Sequence, residues 1–269
     1  MAANKHHKPS DIGPSRRDLL IHGSKVAAGM GIATLLGNVG DILGHAYGMD
    51  RSVRSLLDAL KPDRTALLVI DMQRDFLASE GYAAQAGLNI MPLVATIRPI
   101  EQLLAVGRAA GLLIVHTREG HVPDLSDCPP YKRERSRRAG AEIGSKGPLG
   151  RLLVRGEAGH DFVEAVRPLK QEIVIDKPGY SAFAHTELQH VLITRGIDTL
   201  IMTGVTTEVC VSSTLRAAID LGYRCITVSD ACASSDPVLH NAAIAMIKVE
   251  GGIFGEVATT AEVIERLAL

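Results

Sequence analysis

From Thr65 onward, short continuous apolar segments alternate with longer segments that have helical periodicity. An apolar run that ends abruptly at a polar residue is typical of a strand buried on both faces of a parallel sheet. The predicted strands are residues 65–71, 112–117, 172–176, 198–204 and 223–230, with a short one near 253–258. Strands that alternate with helices connect through right-handed crossovers, which place helices on both faces of the sheet. The alternation therefore predicts an α/β fold built on one parallel sheet.

The intervening helices are predicted over residues 92–110 and 207–221 and near 237–250. The first two are followed by glycine, which commonly ends a helix because it adopts the left-handed conformation without strain. No internal repeat and no second change of composition occurs after residue 50. Residues 51–269 are therefore predicted to form one domain.

The first 50 residues differ from the rest and are predicted to be an N-terminal extension. The segment SRRDLL at residues 15–20, followed by a mildly apolar stretch at 26–44, resembles a twin-arginine export signal. Asp41 interrupts the apolar stretch, and no A-x-A cleavage site follows it. Two alternatives follow: export to the periplasm, or a cytoplasmic protein with an amphipathic surface helix.

The composition argues against several classes of protein. The 269 residues have a formal net charge of −1 and only 3% aromatic residues. A nucleic-acid-binding protein usually has a basic excess and aromatic side chains for base stacking. No apolar run is long and pure enough to span a bilayer. The 4 cysteines are too few for a disulfide framework and too irregularly spaced for a structural zinc site.

Residues 118–160, between the second and third predicted strands, are rich in Gly and Pro and show little periodicity. Loops of this length in compact domains are often functional lids. The segment contains a basic cluster, YKRERSRR, at residues 131–138. This cluster is interpreted as a solvated charged turn in preference to an anion-binding site.

Reactive side chains stand at the ends of three predicted strands. Asp71 ends the first strand, Lys177 follows the third, and Cys210 lies at the start of the helix after the fourth. Taken alone, each has an ordinary explanation: Asp71 as a helix cap, Lys177 as a solvated amine and Cys210 as a buried thiol. Ligands of open parallel sheets, however, bind beyond the carboxyl ends of the strands. The joint position of the three residues therefore favours a catalytic site.

An acid, an amine and a thiol at one sheet edge are suited to acyl transfer through a thioester. The first turn of a helix and a nearby ammonium are both expected to lower the pKa of Cys210 and so favour its thiolate. Asp71 can accept the thiol proton and return it to a leaving amine. Lys177 would hold both groups and stabilise negative charge. The backbone N–H groups of Thr206 and Cys210 are candidates for an oxyanion hole.

Three sequence blocks surround these residues: ALLVIDMQRDF, VIDKPGYSAF and GVTTEVCVSSTLRAAIDLGYRCITVSDAC. They resemble the signature blocks of the isochorismatase-like cysteine hydrolases, and the resemblance extends over residues 63–268. It implies a three-layer α/β/α sandwich with a six-stranded parallel sheet, and hydrolysis of small amides or carbamoyl compounds without an organic cofactor. It also implies that the acid, amine and thiol above are the catalytic triad, and that the peptide bond between Val205 and Thr206 is cis.

A finer similarity points to biuret hydrolases and related ureide amidohydrolases. It rests on the segments HTREGHVPDLSDCPPYKRERSRR, GRLLVRGEAGHDF and MIKVEGGIFGEVAT. The resemblance implies that Phe76 forms an apolar wall of the substrate pocket, with a position in the core as the alternative. Glu250 and Tyr180 stand where biuret hydrolases carry Gln and Lys, which predicts substrate contacts by both residues and argues against biuret itself. The expected substrate is a small, polar, uncharged ureide or carbamoyl amide, cleaved with release of ammonia.

Neither a metal nor a cofactor is predicted. Metal-binding relatives carry an Asp-x-His after the second strand, whereas this chain has HTREGH at residues 116–121, with its two histidines off a common helical face. No G-x-G-x-x-G follows the first strand, which argues against a dinucleotide. Cys225 and Cys232 are expected to be structural.

Two other functions remain open from the sequence. One is a vinyl-ether hydrolase of the isochorismatase type, although such enzymes commonly lack the nucleophilic cysteine. The other is a non-enzymatic binding protein that retains the fold. Because the family often forms dimers or tetramers, a homo-oligomer is expected.

Overall fold

The computed structural model of this protein describes residues 55–268. Six apolar segments form a sheet in which every neighbouring pair of strands is parallel. Its strands are β1 (Thr65–Ile70), β2 (Leu113–Glu119), β5 (Ile173–Lys177), β6 (Thr199–Val205), β7 (Arg224–Ala233) and β8 (Glu256–Ala258), and the short strands β3 (Lys146–Gly147) and β4 (Gly150–Arg151) form a separate antiparallel pair. Across the sheet, from one outer strand to the other, the order is β5, β2, β1, β6, β7 and β8. The predicted α/β fold with a six-stranded parallel sheet is confirmed.

Helices cover both faces of this sheet. In chain order they are α1 (Arg74–Leu77), α2 (Tyr82–Gln85), α3 (Met91–Ala95), α4 (Ile97–Ala109), α5 (Pro130–Arg138), α6 (Leu188–Thr194), α7 (Ser212–Asp220), α8 (Pro237–Ile247) and α9 (Thr260–Leu267). A π-helical turn (Thr207–Val211) precedes α7, and single 3₁₀ turns occupy Pro62–Arg64, Glu164–Val166 and Val249–Gly251. Helices α4 and α9 pack on one face, and α6, α7 and α8 pack on the other.

Strand β1 shows why a continuous apolar run suits the middle of this sandwich. Successive side chains of a strand point to opposite faces. Leu67 and Val69 join the core beneath α4 and α9, whereas Ala66, Leu68 and Ile70 join the core beneath α6, α7 and α8. All five are buried. A polar residue at any of these positions would therefore face a core layer without water.

The observed elements differ from the predicted ones in several places. The predicted helix 92–110 is divided at Thr96, whose hydroxyl donates to the carbonyl of Leu93 at 2.7 Å. Such a bond between a side chain and the preceding turn competes with regular helix. Helix α9 was not predicted, although its capping box, formed by Thr259 and Glu262, is readable in the sequence. Residues 118–160 contain helix α5 and the β3–β4 pair, in place of a loop without regular structure.

The predicted N-terminal extension, residues 1–50, and its export signal lie outside the described residues. No helix among residues 55–268 is both long enough and apolar enough to cross a membrane.

Candidate active site

Three neighbouring strands, β5, β2 and β1, end at the same edge of the sheet, and each brings an ionisable side chain there. Lys177 ends β5, Glu119 ends β2, and Asp71 follows β1 directly. Cys210 reaches the same place from the π-helical turn after β6. All four residues are buried. The predicted acid, amine and thiol therefore share one site, together with a glutamate that sequence reasoning missed.

The ammonium of Lys177 lies at the centre of this group. Its Nζ is 2.7 Å from Asp71 Oδ2, 3.5 Å from Cys210 Sγ and 3.9 Å from Glu119 Oε2, and it also donates to the carbonyl of Gly179 at 3.1 Å. Burial lowers the pKa of Lys177, but attraction to Asp71, Cys210 and Glu119 outweighs burial and raises it above the ordinary value. The amine is therefore a permanent cation that holds the anionic groups together.

Asp71 is held in place from the neighbouring strand. Its backbone has a φ of 54°, a left-handed conformation that Asp tolerates better than most residues and that is frequent at functional sites. Its N–H donates to the carbonyl of Thr117 at 3.1 Å, and the Thr117 hydroxyl donates to Asp71 Oδ1 at 2.6 Å. Burial raises the pKa of Asp71, with Lys177 opposing the rise. The carboxylate is therefore more basic than an exposed aspartate, which suits a general base.

The thiol of Cys210 is surrounded by charge of both signs. Its relative exposure is 4%, and its Sγ donates to Glu119 Oε2 at 3.4 Å. Burial raises the pKa of Cys210 well above the ordinary value, and although Lys177 lowers it, Asp71 and Glu119 raise it further. The expected lowering of this pKa is therefore wrong, because loss of water and two carboxylates outweigh one ammonium. The resting thiol is protonated, and attack requires transfer of its proton.

Glu119 was missed because the predicted second strand ended at residue 117, two residues too early. Burial raises the pKa of Glu119, but Lys177 and Lys132 together lower it below the ordinary value. The closer partner is Lys132, whose Nζ lies 2.6 Å from Glu119 Oε1. The rule that found Asp71, a polar side chain at the end of a buried strand, would have found Glu119 as well.

Lys132 comes from the basic cluster at residues 131–138, which is not the solvated turn that the sequence suggested. The cluster forms helix α5, and Lys132 is buried in it. Its Nζ donates to the carbonyl of Pro178 at 2.6 Å and lies 4.9 Å from the centre of the Tyr180 ring. Part of the cluster is therefore built into the site, because a lysine inside the protein can satisfy a buried carboxylate and a carbonyl at the same time.

A cavity of about 450 Å³ opens above Cys210. Phe76 and Tyr180 both line it, and Phe76 also packs against the hydrophobic core. Glu250 does not line the cavity. It is exposed, on the 3₁₀ turn Val249–Gly251 after α8, so Glu250 takes no part in the wall of this cavity and its expected substrate contact stays a prediction.

The turn after β6 supplies backbone donors to this cavity. The peptide bond between Val205 and Thr206 is cis, and Thr206 lines the cavity. The Thr206 carbonyl accepts from the N–H groups of Val209 and Val211, each at 3.2 Å. The Thr206 N–H itself has no acceptor among residues 55–268, which leaves this donor available to a ligand.

Asp71, Glu119 and Cys210 also have the composition of a metal site, since one ligand atom from each lies within 4.8 Å of the others. The ammonium of Lys177 lies among these three groups, with its Nζ 2.7 Å from Asp71 Oδ2. A metal ion would have to displace this ammonium, because two cations cannot share the position. The donor set therefore fits the chain's own cation better than a metal.

The remaining histidines and cysteines near the sheet have other surroundings. His116 Nε2 is 3.0 Å from Glu172, and His121 Nδ1 is 3.0 Å from Asp127, so the two histidines bind different carboxylates. Cys225 and Cys232 are buried in β7, neither lines the cavity, and burial raises the pKa of both. All four cysteines of the chain are free thiols.

Comparison with known proteins places the chain among hydrolases of one family. The isochorismatase domain matches residues 65–262. The chain is 32% identical over 205 residues to the ureidoacrylate amidohydrolase RutB of Acinetobacter baylyi, a match that covers 75% of this chain and 82% of that protein. It is 34% identical over 209 residues to a RutB of Methylorubrum extorquens, with 74% and 82% covered.

Solved structures show the same relationship. A cysteine hydrolase from Pseudomonas syringae pv. phaseolicola has a TM-score of 0.67 and 30% identity, with 78% of this chain and 94% of that chain covered. An N-carbamoylsarcosine amidase from Thermoplasma acidophilum has a TM-score of 0.56 and 25% identity, with 73% and 96% covered. The family match over residues 65–262, the similar relatives and the similar solved structures agree, and the chain belongs to the isochorismatase family.

Proposed function

We propose that this protein is a cysteine amidohydrolase that cleaves a C–N bond of a small ureide through a covalent intermediate on Cys210. The observation that carries the proposal is the position of the Cys210 thiol, which lies at the cavity, 3.5 Å from Lys177 Nζ and beside a carboxylate of raised pKa, Asp71. The names of two relatives, a ureidoacrylate amidohydrolase and an N-carbamoylsarcosine amidase, support a substrate with a ureido or carbamoyl group.

The first half of the reaction transfers the acyl part of the substrate to sulfur. The proton of the Cys210 thiol moves to Asp71, whose pKa is raised by burial, and the thiolate attacks the carbonyl carbon to form a C–S bond. The oxygen becomes negative and accepts hydrogen bonds from backbone N–H groups at Thr206 and Cys210. The C–N bond then breaks, and Asp71 returns the proton to the leaving nitrogen.

The second half releases the acyl group with water. Asp71 accepts a proton from the water, the resulting hydroxide attacks the carbonyl carbon, and the C–S bond breaks. The proton held on Asp71 returns to the sulfur, so that Cys210 is again a thiol. Throughout both halves Lys177 stays protonated, and its charge stabilises each negative intermediate within 4 Å of it.

Release of ammonia is the finer part of the proposal. If the unsubstituted nitrogen of a ureide leaves, the first product is ammonia; if the substituted nitrogen leaves, the first product is an amine and the bare carbamoyl group stays on sulfur. In both courses water releases a carbamate, which loses carbon dioxide, so a substituted urea ends as ammonia and an amine either way. Incubation with biuret, triuret, ureidoacrylate and N-carbamoyl amino acids measures activity, and the mass of the adduct on Cys210 distinguishes the two courses, because the adduct retains the substituted nitrogen only in the first. We propose the first course for substrates with a terminal NH₂ group.

The nucleophile is tested by comparing Cys210→Ala with Cys225→Ala. Loss of the nucleophile is expected to lower kcat by roughly 10³-fold or more, whereas Cys225 is buried in β7 away from the cavity and its variant should keep the wild-type rate. Intact-mass measurement during turnover of a slow substrate should show an adduct on the wild type only. Full activity in Cys210→Ala would refute the proposed mechanism.

Two further expectations stay proposals. A homo-oligomer, dimer or tetramer, is proposed because members of the family often form such assemblies. Light scattering on the purified full-length chain measures its mass directly. Export through the twin-arginine route is proposed from residues 1–50. Cell fractionation combined with the N-terminal sequence of the recovered protein tests export and cleavage together.

A further inference from the structure

The arginines of helix α5 differ in their partners. Arg133 lies 2.7 Å from a carboxylate oxygen of Glu142, while Arg137 and Arg138 both pair with Glu134. Arg135 pairs with no carboxylate within residues 55–268. Among the arginines of this helix, the one that faces the cavity is the one without an anionic partner.

Arg135 forms side-chain hydrogen bonds with Tyr82 and Tyr180, but its guanidinium retains an unpaired donor. It lines the cavity that contains Cys210, and its Nε is buried without a hydrogen-bond partner among the described residues. The guanidinium lies 5.9 Å from the centre of the Tyr180 ring. A buried charged donor without an acceptor is costly, so a group from outside the chain that accepts its hydrogen bonds would bind favourably here.

Neither of the two carboxylates that line the cavity, those of Glu119 and Glu208, forms an ion pair with Arg135. Glu119 is already paired with Lys132 at 2.6 Å. Burial lowers the pKa of Arg135, but Tyr180, Tyr82 and Glu119 raise it above the ordinary value, so the guanidinium stays charged. Its planar fork is suited to a carboxylate, which can accept two parallel hydrogen bonds.

Two carboxylates of the cavity offer hydrogen-bond acceptors. Glu208 lines it, and Glu208 Oε2 is buried without a hydrogen-bond partner among residues 55–268. Glu119 Oε2 faces the Cys210 thiol. A ureido group carries several N–H donors, which such acceptors can bind beside the nucleophile. The cavity therefore combines acceptors suited to a ureido group with one cation suited to an anion.

We propose that Arg135 binds a carboxylate of the substrate, and that the substrate is a ureido acid. This inference rests on the proposed function and narrows it, because a neutral ureide such as biuret would leave Arg135 unpaired. It also replaces the uncharged substrate expected from the sequence. Arg135 is then the residue that selects acidic ureides over neutral ones of the same size.

The test compares two substrates that differ only in the charged group, N-carbamoyl-β-alanine and N-propylurea. For the wild type, kcat/KM should be higher for N-carbamoyl-β-alanine by about 100-fold, the effect of two charge-assisted hydrogen bonds. Arg135→Gln should remove most of this difference through a higher KM for the acid, and should lower kcat/KM for N-propylurea far less than for the acid.

Arg138→Gln is the matched control, because Arg138 lies on the same helix but is exposed and pairs with Glu134. This variant should keep the wild-type preference. Equal losses for both substrates in Arg135→Gln would assign Arg135 a structural role and overturn the inference. A wild type that cleaves N-propylurea or biuret better than the acid would overturn it as well, while leaving the amidohydrolase proposal intact.

Binding to a variant that cannot turn over separates the two proposals. Titration calorimetry with Cys210→Ala should detect N-carbamoyl-β-alanine, with binding about 100-fold weaker in the double variant Cys210→Ala/Arg135→Gln. If no ureide is hydrolysed but this difference is found, the proposed function fails and the carboxylate site stands. If the acid does not bind, or binds equally to both variants, the carboxylate site fails.

Discussion

The two edges of the main sheet both carry ion pairs, but in opposite surroundings. At the amino-terminal edge, Asp198 pairs with Arg64 and Arg224, and these arginine side chains are 52% and 49% exposed. At the carboxyl edge, Lys177 pairs with Asp71 at 2.7 Å, and both side chains are 0% exposed. Exposed pairs contribute little to stability, whereas buried charges must be compensated by their partners. The buried edge therefore costs stability to build, and it is the edge where the sheet places its chemistry.

The largest effect is expected from removing the buried cation. Lys177→Met leaves Asp71 and Glu119 buried without their shared partner, which should lower the free energy of unfolding by about 3–5 kcal/mol and abolish activity. Urea denaturation of the full-length chain measures the first effect. Adding Asp71→Asn to Lys177→Met should recover part of the stability, because one uncompensated charge is then absent. A Lys177→Met variant as stable as the wild type would remove the contrast between the two edges.

The next largest effect is expected in the pH dependence of the free energy of unfolding, and it comes from the buried, neutral His116. Burial lowers the pKa of His116 to about 4, and the hydrogen bond that its Nε2 donates to Glu172 opposes this lowering. The unfolded chain binds this proton from about pH 6.5 downward and the folded chain does not, so stability falls as the pH drops from about 6.5 to 4, by about 3 kcal/mol in total. Between pH 7 and pH 5 the loss should be about 2 kcal/mol.

Urea denaturation of His116→Gln at pH 7, 6 and 5 measures this contribution. The variant should lose about 2 kcal/mol less than the wild type over that interval, because glutamine does not titrate. His190→Gln is the control, since His190 is exposed on α6, and it should keep the wild-type slope. Equal slopes for His116→Gln and the wild type would mean that His116 can be protonated in the folded protein.

A smaller effect is expected from neutralising Glu119. Because Glu119 raises the pKa of Cys210, Glu119→Gln should lower this pKa and shift thiolate formation to lower pH. The rate of iodoacetamide labelling at Cys210, followed by peptide mass spectrometry across pH, reports the shift. Glu142→Gln on the surface is the control. A labelling profile unchanged in Glu119→Gln would mean that this carboxylate does not control the thiol.

The smallest effect is expected at the exposed edge. Asp198→Asn removes the charge that pairs with Arg64 and Arg224, yet it should lower the free energy of unfolding by no more than about 1 kcal/mol, because these pairs are screened by water. Its kcat/KM should equal that of the wild type, since the substitution lies at the sheet edge opposite Cys210. A loss of several kcal/mol here would show that exposure does not distinguish the two edges.

Much of the site was readable in the sequence, and the parts that were missed have a common origin. Asp71 and Lys177 were found because each stands at the end of a recognisable strand. Glu119 satisfies the same rule but was lost through an error of two residues in the end of β2. The role of Lys132 was not readable, because its contact with Glu119 joins α5 to β2 across a segment of irregular sequence. Contacts of this kind leave no periodic signal.

The sequence by itself determined the alternation of strands and helices, the parallel sheet and the residues that reach its carboxyl edge, because these follow from local apolar periodicity and strand polarity. Only the tertiary structure decided the raised pKa of Cys210, the partner of Glu119, the unpaired Nε of Arg135 and the position of Glu250 outside the cavity wall. The pKa of a buried group depends on its distances to charges that are remote in the chain. Those distances exist only once the strands, the turn after β6 and helix α5 are packed together.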